Sequence, residues 1–328
     1  MDSIESISIL GAGSWGNTLA FVLGQSMPVI LWDHDPKRVR KSSKTRRFKK
    51  PITLKYPDNV IITNDLSAIL QSRIIINAIS LKGMEETFGR IAELNPDLKH
   101  IFVNGSKGID SQNLQTPIEI MNKFLPNHPK AVISGPNLAK ELIKAKPMVT
   151  EVASTDLAIA KIVQEKITNP SLRVYTNSDV KGVELCGALK NVIAIAAGAS
   201  DALKLGDSAK ASLITRGLHE MGRFLNLYGG KAETLMGPAG VGDLIATCSS
   251  TLSRNYRVGY YLAEGQKLHK IIRDLGEVAE GINTTHAVYQ IAHAKNIEMP
   301  IVEQIKKLLN DEANAVDAVL SLMKRPSK

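Results

Sequence analysis

The chain has 328 residues, of which 44% are hydrophobic, 22% charged and 5% aromatic. This length suits two domains, and the composition is that of a globular protein rather than a disordered one. No apolar run approaches the roughly 18–20 residues that cross a bilayer. The first residues carry two acids and no basic segment, so neither a membrane span nor a secretory signal is expected. The expected compartment is therefore the cytoplasm. Cys186 and Cys248 are far apart in sequence and are predicted to be reduced thiols.

The net charge of +9 is concentrated in one stretch of the chain. Between Lys37 and Lys50 there are nine basic residues and no acids, so the rest of the chain has no net charge. Such a run is often a solvated loop. The alternatives are a contact with a nucleotide phosphate or a patch that binds nucleic acid.

Short Ile- and Val-rich runs alternate with helix-length segments through the first half of the chain. Runs that are apolar throughout are typical of strands covered on both faces, so the pattern predicts βαβ units and a doubly wound parallel sheet. The predicted strands are Ser6–Leu10, Val29–Trp32, Val60–Thr63, Ile74–Ile79, His100–Asn104, Ala131–Ser134, Met148–Ala153 and Leu172–Tyr175.

From Asp179 onward the pattern predicts long helices. The first is predicted over Val180–Ala199 and the last over Ile301–Lys324, and the glycine-rich segment Gly237–Gly242 interrupts the series. The expected fold is therefore α/β in the N-terminal part, followed by a C-terminal all-α domain. We place the first domain at residues 1–179 and the second at residues 180–328.

A glycine-rich turn with the sequence GAGSWG joins the first strand to a helix predicted over Asn17–Leu23. In this pattern Gly11 permits the tight turn, Gly13 lets the backbone approach a pyrophosphate, and Gly16 allows close packing of helix on strand. An acid, Asp33, ends the second strand 20 residues after Gly13. Together these features predict a Rossmann-type domain that binds a dinucleotide; the alternative is a degenerate loop that binds nothing.

The residues after the second strand point to both forms of the cofactor. Asp33 has the position and chemistry to accept the ribose 2′-hydroxyl of NAD, and its charge opposes the 2′-phosphate of NADP. The residues that follow favour NADP, because cationic groups neutralise that phosphate. They are His34, Lys37 and Arg38. We expect NADP and NAD both to serve, with NADPH modestly favoured.

Lys190 is the first candidate for chemistry in the second half. On the predicted helix, the residues three, four and seven positions away are small or apolar, among them Gly187, Cys186 and Ala194. Burial on such a face lowers the pKa of a lysine toward that of a useful proton donor. The alternative is a lysine at a helix edge whose ammonium reaches solvent.

Further candidates follow in two short segments. Asp243 ends a glycine-rich stretch and is placed to orient a lysine or a substrate hydroxyl, and Ser253, Arg254 and Asn255 supply donors suited to a phosphate. By spacing alone each segment resembles an ordinary loop.

Taken in order, these motifs resemble the NAD(P)-dependent glycerol-3-phosphate dehydrogenase family over nearly the whole chain. The matching segments are Gly11–Gly16, Ser106–Gly108, Ser134–Pro136, Gly187–Val192, Gly240–Leu244, Ser253–Asn255 and Val278–Gly281. The resemblance implies reversible reduction of dihydroxyacetone phosphate to glycerol 3-phosphate, which supplies glycerophospholipid synthesis, with no metal ion.

The resemblance also implies roles for individual residues. Lys190 is the catalytic proton donor and acceptor. The substrate contacts are Lys107, Gly135, Asn137, Asp243, Ser253, Arg254 and Asn255. The cofactor contacts are Ser14, Trp15, His34, Lys107, Ala139, Arg254, Val278 and Glu280, beside the glycines and Asp33 of the phosphate loop.

The chain departs from the family at two places. Asn137 stands where Ser or Thr usually follows Gly-Pro, and the segment from Lys44 to Tyr56 is unusually basic. The expected partner is a small phosphorylated substrate, with a homodimer possible and no nucleic acid. The alternatives are a dehydrogenase for another small hydroxy acid and a nucleotide-sensing or nucleic-acid-binding protein that uses the basic run.

Overall fold

The computed structural model describes residues 6–276 and 279–325, and the chain divides into two compact units. The first unit comprises Met1–Ser106, Pro117–Ile133 and Asn137–Val180, and the second comprises Lys107–Thr116, Ser134–Pro136 and Lys181–Lys328. The segments 107–116 and 134–136, which follow two strands of the first unit, therefore group with the helical part of the chain.

Within the described residues, the first unit contains one eight-stranded sheet and a short hairpin. The strands are β1 (Ile7–Leu10), β2 (Val29–Trp32), β3 (Arg47–Phe48), β4 (Leu54–Lys55), β5 (Val60–Thr63), β6 (Ile74–Asn77), β7 (Ile101–Asn104), β8 (Lys130–Ser134), β9 (Met148–Ala153) and β10 (Leu172–Asn177). The order in the sheet is β10-β9-β8-β7-β6-β1-β2-β5, and β3 pairs with β4 in the hairpin. The ladders on both sides of β1 are parallel, as are those of β2 with β5, β6 with β7, β7 with β8 and β9 with β10. All eight strands predicted from sequence are present, with ends that differ by up to two residues.

Both faces of the sheet are covered by helices. Along β6, Ile74 and Ile76 enter one apolar cluster and Ile75 enters the other, because successive side chains of a strand point to opposite faces. The first cluster also takes residues from α1 (Ser14–Leu23), α5 (Ala139–Leu142) and α6 (Leu157–Ile167). The second takes residues from α3 (Leu81–Glu93) and α4 (Pro117–Phe124), and from a 3₁₀ turn at Ser67–Gln71. The predicted doubly wound sheet is confirmed.

The basic run forms regular structure, and its interpretation as a loop is wrong. Asp35 caps the helix α2 (Pro36–Thr45) by accepting hydrogen bonds from the backbone N–H groups of Lys37 and Arg38. Proline at the first helical position and an aspartate before it are a strong start signal. The hairpin β3–β4 follows, and Val39 is the buried residue of α2.

The second unit is helical. Its helices are α7 (Val180–Ala202), α8 (Asp207–Leu227), α9 (Ala232–Met236), α10 (Asp243–Cys248), α11 (Arg254–Ala263), α12 (Leu268–Leu275), α13 (Glu280–Ala294), α14 (Pro300–Leu309) and α15 (Ala315–Met323), with a π-helical turn at Pro238–Gly242. The single helix predicted over Ile301–Lys324 is wrong. Asp311 has a positive φ of 62°, which ends α14, and Asn314 caps α15 by accepting from the N–H of Asp317.

Helix α7 runs through the core of the second unit and carries the candidate lysine. By length and composition it could cross a membrane, so the expectation that no run approaches that length is wrong for this helix. Its apolar window is entirely buried, as in a core helix. Its backbone touches α11 at two glycines. A Cβ on Gly198 would lie 1.9 Å from the carbonyl oxygen of Tyr256, and one on Gly259 would lie 1.7 Å from that of Ile195.

Candidate active site

Two lysines converge on one carboxylate in the second unit. Asp243 is the first residue of α10, and its Oδ1 lies 2.5 Å from Lys190 Nζ on α7. Its Oδ2 lies 2.6 Å from Lys107 Nζ, in the segment that follows β7. Lys107 Nζ also donates to the carbonyl oxygen of Gly135 at 3.1 Å. Three residues separated by up to 136 positions therefore form one charged group.

Burial sets the proton affinity of Lys190. The residue is 7% exposed, so it is not a helix-edge lysine that reaches solvent. Loss of hydration lowers its pKa from 10.5 to about 8; Asp243 opposes that shift, and the nearby Lys107 cation reinforces it. An amine with a pKa near 8 is able both to give and to take a proton close to neutral pH.

Thr247 is a part of this group that the sequence analysis missed. Its Oγ1 accepts a hydrogen bond of 2.8 Å from Lys190 Nζ and donates one of 3.3 Å to Asp243 Oδ1. The two residues are four positions apart on α10, a spacing that places them on one helix face and was available as a signal. Thr247 thus holds both members of the Lys190–Asp243 pair.

Gly187 leaves room for this arrangement on α7. A Cβ at this position would lie 2.7 Å from Ser134 Oγ and 3.5 Å from the side chain of Lys107. A larger residue would therefore collide with Ser134, whereas the Lys107 stem lies at an ordinary van der Waals distance. The glycine that precedes Lys190 by three positions leaves room for Ser134 beside the second lysine.

The Ser-Arg-Asn triplet forms the start of α11. Ser253 caps the helix by accepting from the N–H of Tyr256 at 3.2 Å, and Arg254 is the first helical residue. The Oδ1 atom of Asn255 accepts from the N–H of Gly281 at 3.0 Å, which leaves the Nδ2 group as a donor. A helix N-terminus with arginine and amide donors is suited to a phosphate group. The predicted cofactor residue Glu280 begins α13, and Val278 lies outside the described residues.

The glycine-rich turn of the first unit has the form that a pyrophosphate requires. Gly11 has a φ of +100°, which favours glycine, and a Cβ on Gly16 would lie 1.8 Å from the Gly11 carbonyl oxygen. Gly13 is exposed, caps α1 without a side chain, and has no atom within 4 Å of an added Cβ. The residues present therefore fit a dinucleotide, with open space at the start of α1.

Other predicted cofactor residues of the first unit lie around this turn. Ser14 and Trp15 begin α1, and the indole nitrogen of Trp15 lies 3.0 Å from where a Cβ on Gly105 would be. Ala139 is the first residue of α5, a helix that packs against α1.

Asn137, a predicted substrate contact, is engaged within the first unit. Its Nδ2 donates to the carbonyl oxygen of Val149 at 3.1 Å, and its Oδ1 accepts from Thr150 Oγ1 at 2.9 Å. Both ends of the amide are therefore committed to β9. We leave Asn137 out of the substrate site proposed below.

Asp33 and His34 follow β2 directly. Asp33 is buried, and its Oδ1 accepts from the N–H of Asp35 at 3.0 Å and from Arg38 Nη2 at 2.9 Å. His34 is largely exposed, with Nδ1 3.4 Å from Asp33 Oδ1. The acid expected to meet a ribose hydroxyl is thus bound to a cation of its own chain.

A dinucleotide loop in one unit and a buried lysine with a lowered pKa in the other are the parts of a nucleotide-dependent oxidoreductase. The class is a Rossmann dehydrogenase. Profiles described as the N-terminus and C-terminus of NAD-dependent glycerol-3-phosphate dehydrogenase match residues 6–160 and 179–320. The chain belongs to the NAD(P)-dependent glycerol-3-phosphate dehydrogenase family.

Individual relatives agree with this assignment. The chain is 44% identical to glycerol-3-phosphate dehydrogenase [NAD(P)+] of a Nostoc species over 98% of its length and 97% of the relative's. It is 40% identical to the enzyme of the same name from Bacillus licheniformis, over 98% and 95% of the two chains. The crystal structure of the Coxiella burnetii glycerol-3-phosphate dehydrogenase superposes with a TM-score of 0.92 at 37% identity, covering 98% of this chain and 99% of that one.

Proposed function

We propose that this protein is an oxidoreductase that reduces dihydroxyacetone phosphate to sn-glycerol 3-phosphate, reversibly, with NADPH or NADH. The observation that carries the proposal is the buried Lys107–Asp243–Lys190 group, in which a carboxylate between two ammonium groups holds a lysine whose pKa is about 8. The names of the relatives, which include both cofactors, support the substrate and the cofactors.

Lys190 supplies the proton in this proposal. When bound, a nicotinamide cofactor would supply the hydride for the ketone carbon. The oxygen of that carbonyl gains negative charge, and the Lys190 ammonium gives it a proton; in the oxidation direction the neutral amine takes the hydroxyl proton back. Asp243 and Thr247 keep Nζ in one place, so little ordering remains to be done when substrate binds.

Lys107 and the start of α11 position the substrate. The Lys107 side chain is 22% exposed, and its ammonium has a third donor for a substrate oxygen besides those to Asp243 and Gly135. Ser253, Arg254 and Asn255 hold the phosphate at the positive end of the α11 dipole. A phosphate anchored there keeps the reacting carbon from drifting away from Lys190.

The cofactor is held by the first unit and by residues assigned through the family. Gly11, Gly13 and Gly16 receive the pyrophosphate, Trp15 lies in the first turn of the helix that follows, and His34 follows β2. The remaining proposed cofactor residues are Ser14, Lys107, Ala139, Arg254, Val278 and Glu280. We keep residues 1–179 as the cofactor domain and residues 180–328 as the substrate domain.

We further propose that the enzyme works in the cytoplasm, that its product feeds glycerophospholipid synthesis, and that the protein forms a homodimer. The two buried cysteines have no disulfide, consistent with a reducing compartment. Gel filtration with light scattering measures the assembly directly.

Oxidation of NADPH and NADH by purified protein tests the activity. We expect dihydroxyacetone phosphate to be reduced and unphosphorylated dihydroxyacetone to react far more slowly, because the α11 phosphate contacts are lost. Lys190→Ala, which retains the cofactor loop, is the matched control for a contaminating dehydrogenase. Equal rates with the two ketones, or undiminished activity in the control, would refute the proposal.

A further inference from the structure

Arg38 is held by two carboxylates at the end of β2. Its Nη2 donates to Asp33 Oδ1 at 2.9 Å, and its Nε lies 3.2 Å from Asp35 Oδ2. Asp33 is itself fixed, because its side chain is 3% exposed and accepts a second hydrogen bond from the N–H of Asp35. Because two of its three nitrogens are paired with carboxylate oxygens, the guanidinium has little rotational freedom.

The rest of the Arg38 side chain remains available. It is 53% exposed, and among residues 6–276 and 279–325 the Nη1 atom has no hydrogen-bond partner. The ring of His34 lies 3.4 Å from Nη2, and Lys37 is the preceding exposed residue. Lys37 and Arg38 equal Asp33 and Asp35 in number, so this segment carries no net negative charge to oppose a phosphate.

This geometry changes the expected role of Asp33. An acid at the end of the second strand selects NAD when its carboxylate is free to accept the two ribose hydroxyls and to repel a phosphate. Here the negative charge of Asp33 is offset by a guanidinium at hydrogen-bond distance, and one oxygen already has two donors. Both effects weaken selection against a 2′-phosphate.

We propose that Arg38, clamped by Asp33 and Asp35, binds the 2′-phosphate of NADPH, and that Asp33 is a positioning residue for Arg38 rather than a ribose acceptor. The inference rests on the proposed use of a nicotinamide dinucleotide and adds the residues that favour its phosphorylated form. A planar fork fixed before binding recognises a phosphate without first having to be ordered.

Calorimetry on the full-length protein tests the inference without relying on turnover. The probes are NADPH, NADH, adenosine 2′,5′-bisphosphate and adenosine 5′-monophosphate. Arg38→Met keeps the aliphatic stem and should weaken both 2′-phosphorylated probes by about 10- to 100-fold, the range expected for losing a charged hydrogen bond. Binding of NADH and the monophosphate should change by less than about twofold. Arg40→Met, on the same exposed helix, is the control for loss of one positive charge.

Asp33→Asn separates the two roles of the acid. If Asp33 positions Arg38, the variant weakens NADPH and leaves NADH unchanged, and the same change has no further effect in an Arg38→Met background. If Asp33 accepts the ribose hydroxyls, it weakens NADH and strengthens NADPH, which overturns the inference. Equal losses in Arg38→Met and Arg40→Met would also overturn it. Failure of wild-type protein to bind either dinucleotide would instead remove the proposed function.

Discussion

Replacing Asp243 with Asn tests how the charged group tunes Lys190. The carboxylate lies 2.5 Å from Lys190 Nζ and opposes the fall in the pKa of that lysine. Asparagine keeps the size and a hydrogen-bond acceptor but removes the charge, and Lys107 still repels the ammonium. An opposite charge at this range shifts a pKa by about 1 to 3. We therefore expect the pKa of Lys190 to fall from about 8 to neutrality or below.

The size of the effect follows from the fraction of Lys190 that is protonated. With a pKa near 8, about nine tenths of the lysine carries a proton at pH 7; with a pKa lowered by about 2, roughly one tenth does. The rate of ketone reduction at pH 7 should fall about tenfold and recover as the pH is lowered. The rate of glycerol 3-phosphate oxidation should instead reach its plateau at lower pH than in the wild type.

Single-turnover reduction and oxidation over a range of pH measure both midpoints. Thr247→Val is the matched control, because it removes a hydrogen bond of 2.8 Å to Lys190 without changing the charge. Thermal denaturation checks that the Asp243→Asn protein is folded, since leaving the buried Lys190 ammonium without its carboxylate costs about 3–5 kcal/mol. A pH midpoint that is the same in Asp243→Asn and wild type would refute the electrostatic role of Asp243.

Three further predictions follow from the same structure. Lys190→Ala should lower kcat by about 10²- to 10⁴-fold with cofactor affinity retained. Lys190→Arg should not restore turnover, because a guanidinium keeps its proton. Near-normal kcat in either variant would leave Lys107 as the proton donor. Arg254→Ala should raise KM for dihydroxyacetone phosphate by about tenfold or more and leave unphosphorylated dihydroxyacetone nearly unaffected. Equal effects on both ketones would make Arg254 a structural residue or mainly a cofactor ligand. Burial raises the pKa of Glu220 to about 7, although the N–H groups of Ile301 and Val302 donate to its carboxylate and oppose the shift. The protonated carboxyl therefore adds up to about 3 kcal/mol to the free energy of unfolding below pH 4.5, and this stability is lost as the pH rises through 7. Glu220→Gln should flatten the fall in Tm between pH 5 and pH 8, and an unchanged slope would contradict the burial argument.

The sheet was predictable because its strands carry their information locally. Runs such as Ile74–Asn77 are buried on both faces and consist mostly of β-branched residues, which favour strands. The basic segment was harder. Its only apolar anchors are Val39 and Phe48, which is too weak a periodic signal to separate α2 and the hairpin from a loop. Asp35 followed by proline was the usable sign of a helix start.

In the candidate site, too, residues could be predicted from their neighbours in sequence, but contacts between distant residues could not. Lys190 was identified because its own helix surrounds it with small residues. Its partner Asp243 was a candidate, but the sequence alone could not bring Lys107 to the opposite oxygen of that carboxylate, since this contact spans 136 positions. The sequence pattern predicts that Arg38 and Asp33 act in opposite senses on the cofactor, whereas the structure pairs the two side chains. Spacing alone does not give the direction of a side chain at the start of α2.

The two glycine contacts between α7 and α11 fix the distance between these two helices. Lys190 lies five residues before Ile195 on α7, and Arg254 lies five residues before Gly259 on α11, so each is about 7–8 Å along its helix from the crossing. Because backbone meets backbone there, side-chain repacking cannot alter the distance between the proposed proton donor and the proposed phosphate anchor. The enzyme should therefore select substrates by the number of atoms between carbonyl and phosphate, and a phosphorylated ketone one carbon longer should be a poor substrate even where it binds.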